Sequence, residues 1–279
     1  MRAPDFVAIG HVTLDHIADV VRPGGSALYA AVTAHRLGMR TAILTSHGDD
    51  FPLERIPSQI EVVSVPAATT TTFAHELSSD GRTMRAWDAA SPLSVSDLPE
   101  DWRDAPVALL APVLNEVDPA LATAFSGAAV GAGAQGWLRT VGKAGVVEPR
   151  AWESPEWSLA QLQALFVSRH DIAGQEPAMQ AWLERLPVAI VTAGRAGALL
   201  YVNGDRYEVA PLAAREVDPT GAGDVFAATF LVHYHRSGDP WEAAEAAACA
   251  ASLSVQGAAW DTVPDAATLA AALTRYRAA

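Results

Sequence analysis

The stretch "EVDPTGAGDVFAATFL", residues 216–231, places Gly221, Ala222 and Gly223 between a polar loop and a long apolar run, with Asp224 directly after them. Two glycines and an alanine leave the backbone almost without side-chain cover, so its N–H groups can come close to a ligand. If a helix begins there, those N–H groups are among its unpaired donors and the helix dipole adds positive potential. The combination is an anion site with a carboxylate beside it.

Two other glycine-rich stretches compete for a phosphate. "GAGAQG" (131–136) has the Gly-x-Gly-x-x-Gly spacing of a dinucleotide-binding loop, the signal an NAD-dependent oxidoreductase would carry. The following "WLRTVGKAGVVEP" is interrupted by Gly142, Gly145 and Pro149, so a helix there would last barely two turns and the motif lacks its context. Gly142–Lys143 fails as a P-loop, because Ala144 replaces the hydroxyl residue that would hold Mg²⁺ and Trp137 stands where the first glycine belongs. "VTAGRAG" (191–197) reads as a strand running into a turn with Thr192, Gly194 and Gly197, shortly before the 216–231 stretch.

The elements that must carry these residues alternate. "FVAIGHVTLD" (6–15) begins as a strand, "SALYAAVTAHRLG" (26–38) has helical spacing and ends at Gly38, and "TAILTSHGDD" (41–50) is a strand followed by a turn. That is one βαβ unit, and "VALLAPVL", "GAAVGAG", "SLAQLQALFVS" and "PVAIVTAG" continue the pattern before two helices, 223–238 and 240–255. The spacing predicts a single α/β domain over 1–279 with a mainly parallel, covered sheet. Residues 69–90 break the alternation: two β-prone halves flank Asp80–Gly81, a hairpin turn signal, and predict an inserted β lid over a pocket or partner. The unpaired edges of such a lid also suggest a homodimer formed through it.

Half of the 279 residues are hydrophobic and 18% are charged, as expected for a globular chain. The longest apolar runs fall short of the roughly 18 residues of a membrane span. The start, "MRAPDFVAIG", has no extended apolar segment, so a cytoplasmic location is expected. The net charge of −13 argues against nucleic acid or an anionic membrane as partner. Lys143 is the sole lysine and Cys249 the sole cysteine, the latter in an alanine-rich stretch where it reads as a small buried side chain.

"DPTGAGDVFAATFL" closely resembles the signature of the ribokinase-like (PfkB-type) carbohydrate and nucleoside kinases. Asp15 in "GHVTLD", Gly24–Gly25 in "RPGGSALYAA", "HGDDF" (47–51) and "VTAGRAG" accompany it in the order that family has. The resemblance implies a three-layer α/β/α sandwich with a mainly parallel central sheet and a small β lid. It implies Asp224 as the base that deprotonates the acceptor hydroxyl, with the amides of Gly221, Ala222 and Gly223 as an anion hole. Asp15, Gly24 and Gly25 match positions that grip substrate hydroxyls; Thr192, Gly194 and Gly197 match the nucleotide-phosphate side. ATP with Mg²⁺ is the implied donor, and a sugar or polyol the implied acceptor, with a nucleoside as the alternative.

The metal side departs from the family pattern. The usual Asn-x-x-Glu is replaced by "SRHD", Ser168 to Asp171, so Asp171 is expected to act on Mg²⁺ through water. Tyr29 stands near the place of an asparagine that ribokinases carry, which turns the expectation away from ribose, and "VGAGAQGWLR" (130–139) is similar to the inositol-kinase-like branch. Asp218 and Thr220, with "SVQGAAW" (254–260), resemble loops that hold K⁺ in some members. Asp15 is expected at the end of the first strand, where open α/β sheets present ligand contacts. The altered metal side also leaves room for a protein of the same fold that binds a sugar or nucleotide without turning it over.

Overall fold

The computed structural model describes residues 3–17, 19–78, 81–152, 155–174 and 176–278. In chain order the strands and helices are β1 (Phe6–Ile9), β2 (Thr13–Ile17), β3 (Val20–Gly24), α1 (Ser26–Arg36), β4 (Thr41–His47), β5 (Glu61–Pro66), β6 (Thr71–Ser78), β7 (Gly81–Asp88), β8 (Val107–Leu110), β9 (Ala129–Gly133), β10 (Arg139–Val141), β11 (Val147–Pro149), α2 (Pro155–Leu159), β12 (Ala164–Ser168), α3 (Glu176–Leu183), β13 (Val188–Thr192), β14 (Ala198–Val202), β15 (Asp205–Val209), α4 (Ala222–Ser237), α5 (Pro240–Ser254) and α6 (Ala266–Arg277).

Nine strands form the main sheet in the order β15-β14-β13-β12-β9-β8-β1-β4-β5, parallel from β13 to β5 and antiparallel at the β14 and β15 edge. Its strands read as unbroken apolar runs because both faces are buried. In β1, Phe6 and Ala8 enter the core under α1, α4 and α5, while Val7 and Ile9 enter the opposite core with Trp102 and Trp137. The first core is closed by long helices, including the alanine-rich α5 with Cys249 fully buried. The second layer is thinner, made of 3₁₀ turns with α2 of five residues and α3 of eight. Three tryptophans fill the space there: Trp137 stacks on Trp152 at 4.9 Å, and Trp152 meets Trp182 edge-on at 5.7 Å.

A second sheet, ordered β3-β2-β6-β7, differs from the sequence expectation. The hairpin within 69–90 is present as antiparallel β6 and β7, but it supplies only two of four strands. The short segment between Asp15 and Gly24 supplies the rest: β2 pairs antiparallel with β3 and parallel with β6. Of the turn signal Asp80–Gly81, Asp80 lies outside the described residues. The expected first strand therefore stops at Ile9. Asp15 sits in the middle of β2 in the small sheet, not at the end of β1.

Residues 139–149 form a second departure. The interrupted helix is an antiparallel hairpin, β10 with β11, whose tip carries Ala144 at φ 55° and Gly145 at φ 78°. It leans on the small sheet: Val146 bridges Arg85, and the Arg85 guanidinium donates to the Ala144 carbonyl at 2.8 Å.

Candidate active site

A cavity of about 510 Å³ opens where the small sheet and the β10–β11 hairpin face the N-terminal ends of α1 and α4. Its polar lining includes Thr13, Asp15, Gln135, Arg139, Asp171 and Asp224, and Phe73, Met84, Leu138 and Val147 contribute apolar surface. A smaller adjoining cavity is lined by Ser168, Thr192 and Gly223. Ser26, Gln135, Asp171 and Asp224 line both, so Asp224 stands where the two spaces meet.

The geometry at Asp224 follows from local chemistry. α4 begins at Ala222, with Gly221 capping it at φ 76°, a left-handed conformation suited to glycine. A side chain at Gly221 would also collide with the ring of Tyr29, which is packed against the turn and nearly buried. Of the three amides in the turn, that of Ala222 donates to the Pro219 carbonyl at 3.2 Å. Among the described residues the amides of Gly221 and Gly223 make no such bond, and Gly221 lines the larger cavity and Gly223 the smaller.

Asp224 keeps partial solvent contact, yet enough protein surrounds it that loss of hydration lifts its pKa to about 7. A hydrogen bond from Ser26 and the charge of Arg139 pull the other way, and Asp171 and Asp15 push it further up. The Tyr29 hydroxyl is held well above the ordinary phenol range by burial first, then by Asp15, Asp218 and Asp224.

Asp15 is buried, accepts a hydrogen bond from the Thr13 hydroxyl at 2.9 Å, and lines the cavity. Gly24 lies directly behind it, since a side chain there would overlap the Asp15 carboxylate, and Gly25, at φ 101°, would overlap the His11 carbonyl. The glycine pair thus lets β3 close tightly on β2. Gly25 reaches the cavity and Gly24 only backs Asp15.

On the other side the residues divide. Thr192 ends β13 and lines the smaller cavity. Gly194 (φ 56°) and Gly197 (φ 85°) shape the turn to β14 and line neither cavity, and a side chain at Gly197 would strike the Val209 carbonyl. Asp218 accepts from the Thr220 amide at 3.0 Å and the Ala259 amide at 3.3 Å, which brings 218–220 and 254–260 together. Burial alone would raise its pKa; the hydrogen bonds from Thr220 and Ala259 and the charge of Arg22, 3.6 Å away, bring it below the usual range.

Asp171 has both oxygens engaged: Oδ1 by the Arg139 guanidinium at 2.9 Å, Oδ2 by the Ser168 hydroxyl at 2.7 Å. Among the described residues no group of three or more His, Cys, Asp or Glu side chains is placed to hold a metal. Both Asp171 oxygens already accept a hydrogen bond, and the arginine among the residues lining the larger cavity is Arg139. That residue, steadied by the Gln135 amide oxygen, was not among the sequence candidates. Its only signal was the i, i+4 spacing of Gln135 and Arg139 in "AQGWLR", which takes on meaning once the hairpin turns them to the cavity.

Residues 136–264 match the model of the pfkB family carbohydrate kinases. The cytidine kinase of Thermococcus kodakarensis is 27% identical over 268 residues, covering 85% of this chain and 91% of the relative. The inositol 3-kinase of Oryza sativa subsp. japonica is 30% identical over 239 residues, covering 74% of this chain and 56% of the relative. A solved pyrophosphate-dependent kinase in the ribokinase family superposes with a TM-score of 0.77 at 22% identity, over 93% of this chain and 96% of that one. Fold and site define a phosphotransferase with a hydroxyl acceptor. Residues 136–264 carry a pfkB family carbohydrate kinase domain, in a chain that has the fold of the ribokinase family over nearly its whole length.

Proposed function

We propose that the protein transfers the γ-phosphoryl group of ATP to a hydroxyl of a neutral sugar or polyol held in the 510 Å³ cavity. The observation that carries this reading is the position of Asp224, a carboxylate with pKa about 7 at the junction of two cavities and beside two free backbone amides. A base works best when its pKa lies near the working pH.

The acceptor lies between Asp15, Thr13 and the Gln135–Arg139 wall, with its carbon faces against Phe73 and Met84. Its hydroxyl proton passes to the Asp224 carboxylate as the oxygen bonds to the γ-phosphorus. The bond from that phosphorus to the β–γ bridging oxygen breaks, and ADP leaves. The amides of Gly221 and Gly223, the α4 dipole and the Arg139 guanidinium lie where charge grows on the transferred group. Mg²⁺ would come with the nucleotide, held by its phosphates, with Asp171 reaching it only through water.

An ADP-release assay over ribose, fructose, myo-inositol and cytidine tests the reading, with pyrophosphate as a second donor read by phosphate release. Turnover of a sugar or polyol with ATP supports it. Turnover of cytidine alone, use of pyrophosphate alone, or no turnover of any acceptor refutes it.

A further inference from the structure

At the root of the small sheet lies a buried imidazole that the chemistry above does not use. His11, 1% exposed, occupies the crossover between β1 and β2. Its Nε2 lies 2.8 Å from the Ser91 carbonyl and its Nδ1 2.7 Å from the Thr71 hydroxyl. A carbonyl can only accept, so Nε2 donates to Ser91, while Nδ1 and the Thr71 hydroxyl share the second hydrogen bond. The Thr71 oxygen accepts in turn from the Ala90 amide at 3.0 Å. The His11 amide donates to Glu116 at 3.1 Å, and the same carboxylate takes the amides of Val113 at 2.9 Å and Leu114 at 2.7 Å.

The partners have a common place in the fold. Thr71 is the first residue of β6, and Ala90 and Ser91 follow shortly after the end of β7, so one ring ties both roots of the hairpin to the end of β1. That hairpin brings Phe73 and Met84 to the cavity, while β2, beginning two residues after His11, brings Thr13 and Asp15. Val113, on the same Glu116 carboxylate, is a further wall of the cavity. The network is closed, because each polar atom of the imidazole and of the Thr71 hydroxyl is used once in the sense its chemistry allows.

We propose that His11 is a positioning residue for the acceptor: its ring pins the β6–β7 hairpin so that Phe73 and Met84 line the cavity beside Asp15. The proposal rests on the kinase reading for its kinetic consequence, not for its structural one. Loss of the pin loosens one wall of the acceptor cavity and leaves the α4 turn and the Thr192 side untouched.

The test compares wild type with His11→Ala, His11→Asn and His11→Gln, using the acceptor of the panel above that the wild type phosphorylates fastest. His11→Ala is expected to raise the acceptor KM about tenfold or more, as for loss of the two ring hydrogen bonds, with the ATP KM within about twofold. Hydrogen exchange without ligands is expected to speed up in peptides covering β6 and β7 but not in β8, β9 and β12. His11→Gln, whose amide nitrogen falls near the place of Nε2 and can donate to Ser91, is expected to recover part of both losses. His11→Asn, whose oxygen falls near Nδ1, should restore the Thr71 link.

An unchanged acceptor KM in all three variants overturns the proposal. So does exchange that rises throughout the main sheet while both KM values and kcat worsen together. Should the wild type phosphorylate no acceptor, the kinase reading fails, and the exchange pattern alone still decides whether His11 is the pin.

Discussion

Replacing Asp224 by asparagine separates what this carboxylate does for chemistry from what it costs the fold. Asparagine keeps the shape and the hydrogen-bonding reach toward Ser26 but takes no proton at neutral pH. Loss of a general base predicts a fall in kcat of roughly 10²–10⁴, with little change in either KM. The stability effect has the opposite sign. Because the folded-state pKa is raised from 3.8 to about 7, the native state binds more protons than the unfolded state between those values, and stability declines as pH rises through that window. At about 1.4 kcal/mol per pH unit the full penalty above pH 7 is on the order of 4 kcal/mol. Partial exposure of the group reduces it to about 1–2 kcal/mol. Asp224→Asn is therefore expected to melt higher than wild type at pH 8, by a few degrees for a chain of this size, with the gap closing near pH 4. Coupled ADP release gives kcat, and scanning calorimetry at the two pH values gives the stability. Near-normal turnover would remove Asp224 from the mechanism, and a mutant that melts lower at pH 8 would refute the desolvated-carboxylate argument.

Wild-type kcat should rise through about pH 7 as Asp224 ionises, and Arg139→Met should move that limb to higher pH, since a charge that favours the carboxylate is lost and Asp171 is unmasked; superimposable pH profiles would refute the coupling. Asp15→Ala should raise the acceptor KM by about 10- to 150-fold, equivalent to 1.5–3 kcal/mol for hydrogen bonds to a charged group, with the ATP KM little changed, and an unchanged acceptor KM would move the pocket elsewhere. Replacing K⁺ with tetramethylammonium at fixed ionic strength tests a cation beside Asp218 and Thr220. A lower rate is expected, and equal rates would mean that Arg22, 3.6 Å from Asp218, is the counter-ion it needs. Val20, Val21 and Trp87 are 48%, 51% and 52% exposed on the small sheet, and light scattering at micromolar protein is expected to show a dimer that buries them; monomer alone would count against it.

Much of the candidate site's local geometry was legible because it is set within a few residues. The Gly-Ala-Gly turn before Asp224 is set by a left-handed glycine and a helix start within four residues, and the unbroken apolar runs of β1, β8 and β13 announced a sheet covered on both faces. What stayed hidden rests on contacts between distant segments. Nothing in "TLDHI" says that it pairs with residues 71–75 instead of prolonging β1, because strand partners are chosen by burial and register across the whole fold. Arg139 and Asp171 meet only because the hairpin after β9 folds back over the cavity beside the end of β12. Tyr29, a helix residue by its spacing, closes on Gly221 through the packing of α1 against α4. The sequence by itself determined which glycine-rich turn opens a helix and which carboxylate stands beside it. Only the tertiary structure decided how acidic that carboxylate is, which cation faces it and what walls the acceptor meets, since hydration, charge and cavity shape at a point depend on every segment that reaches it.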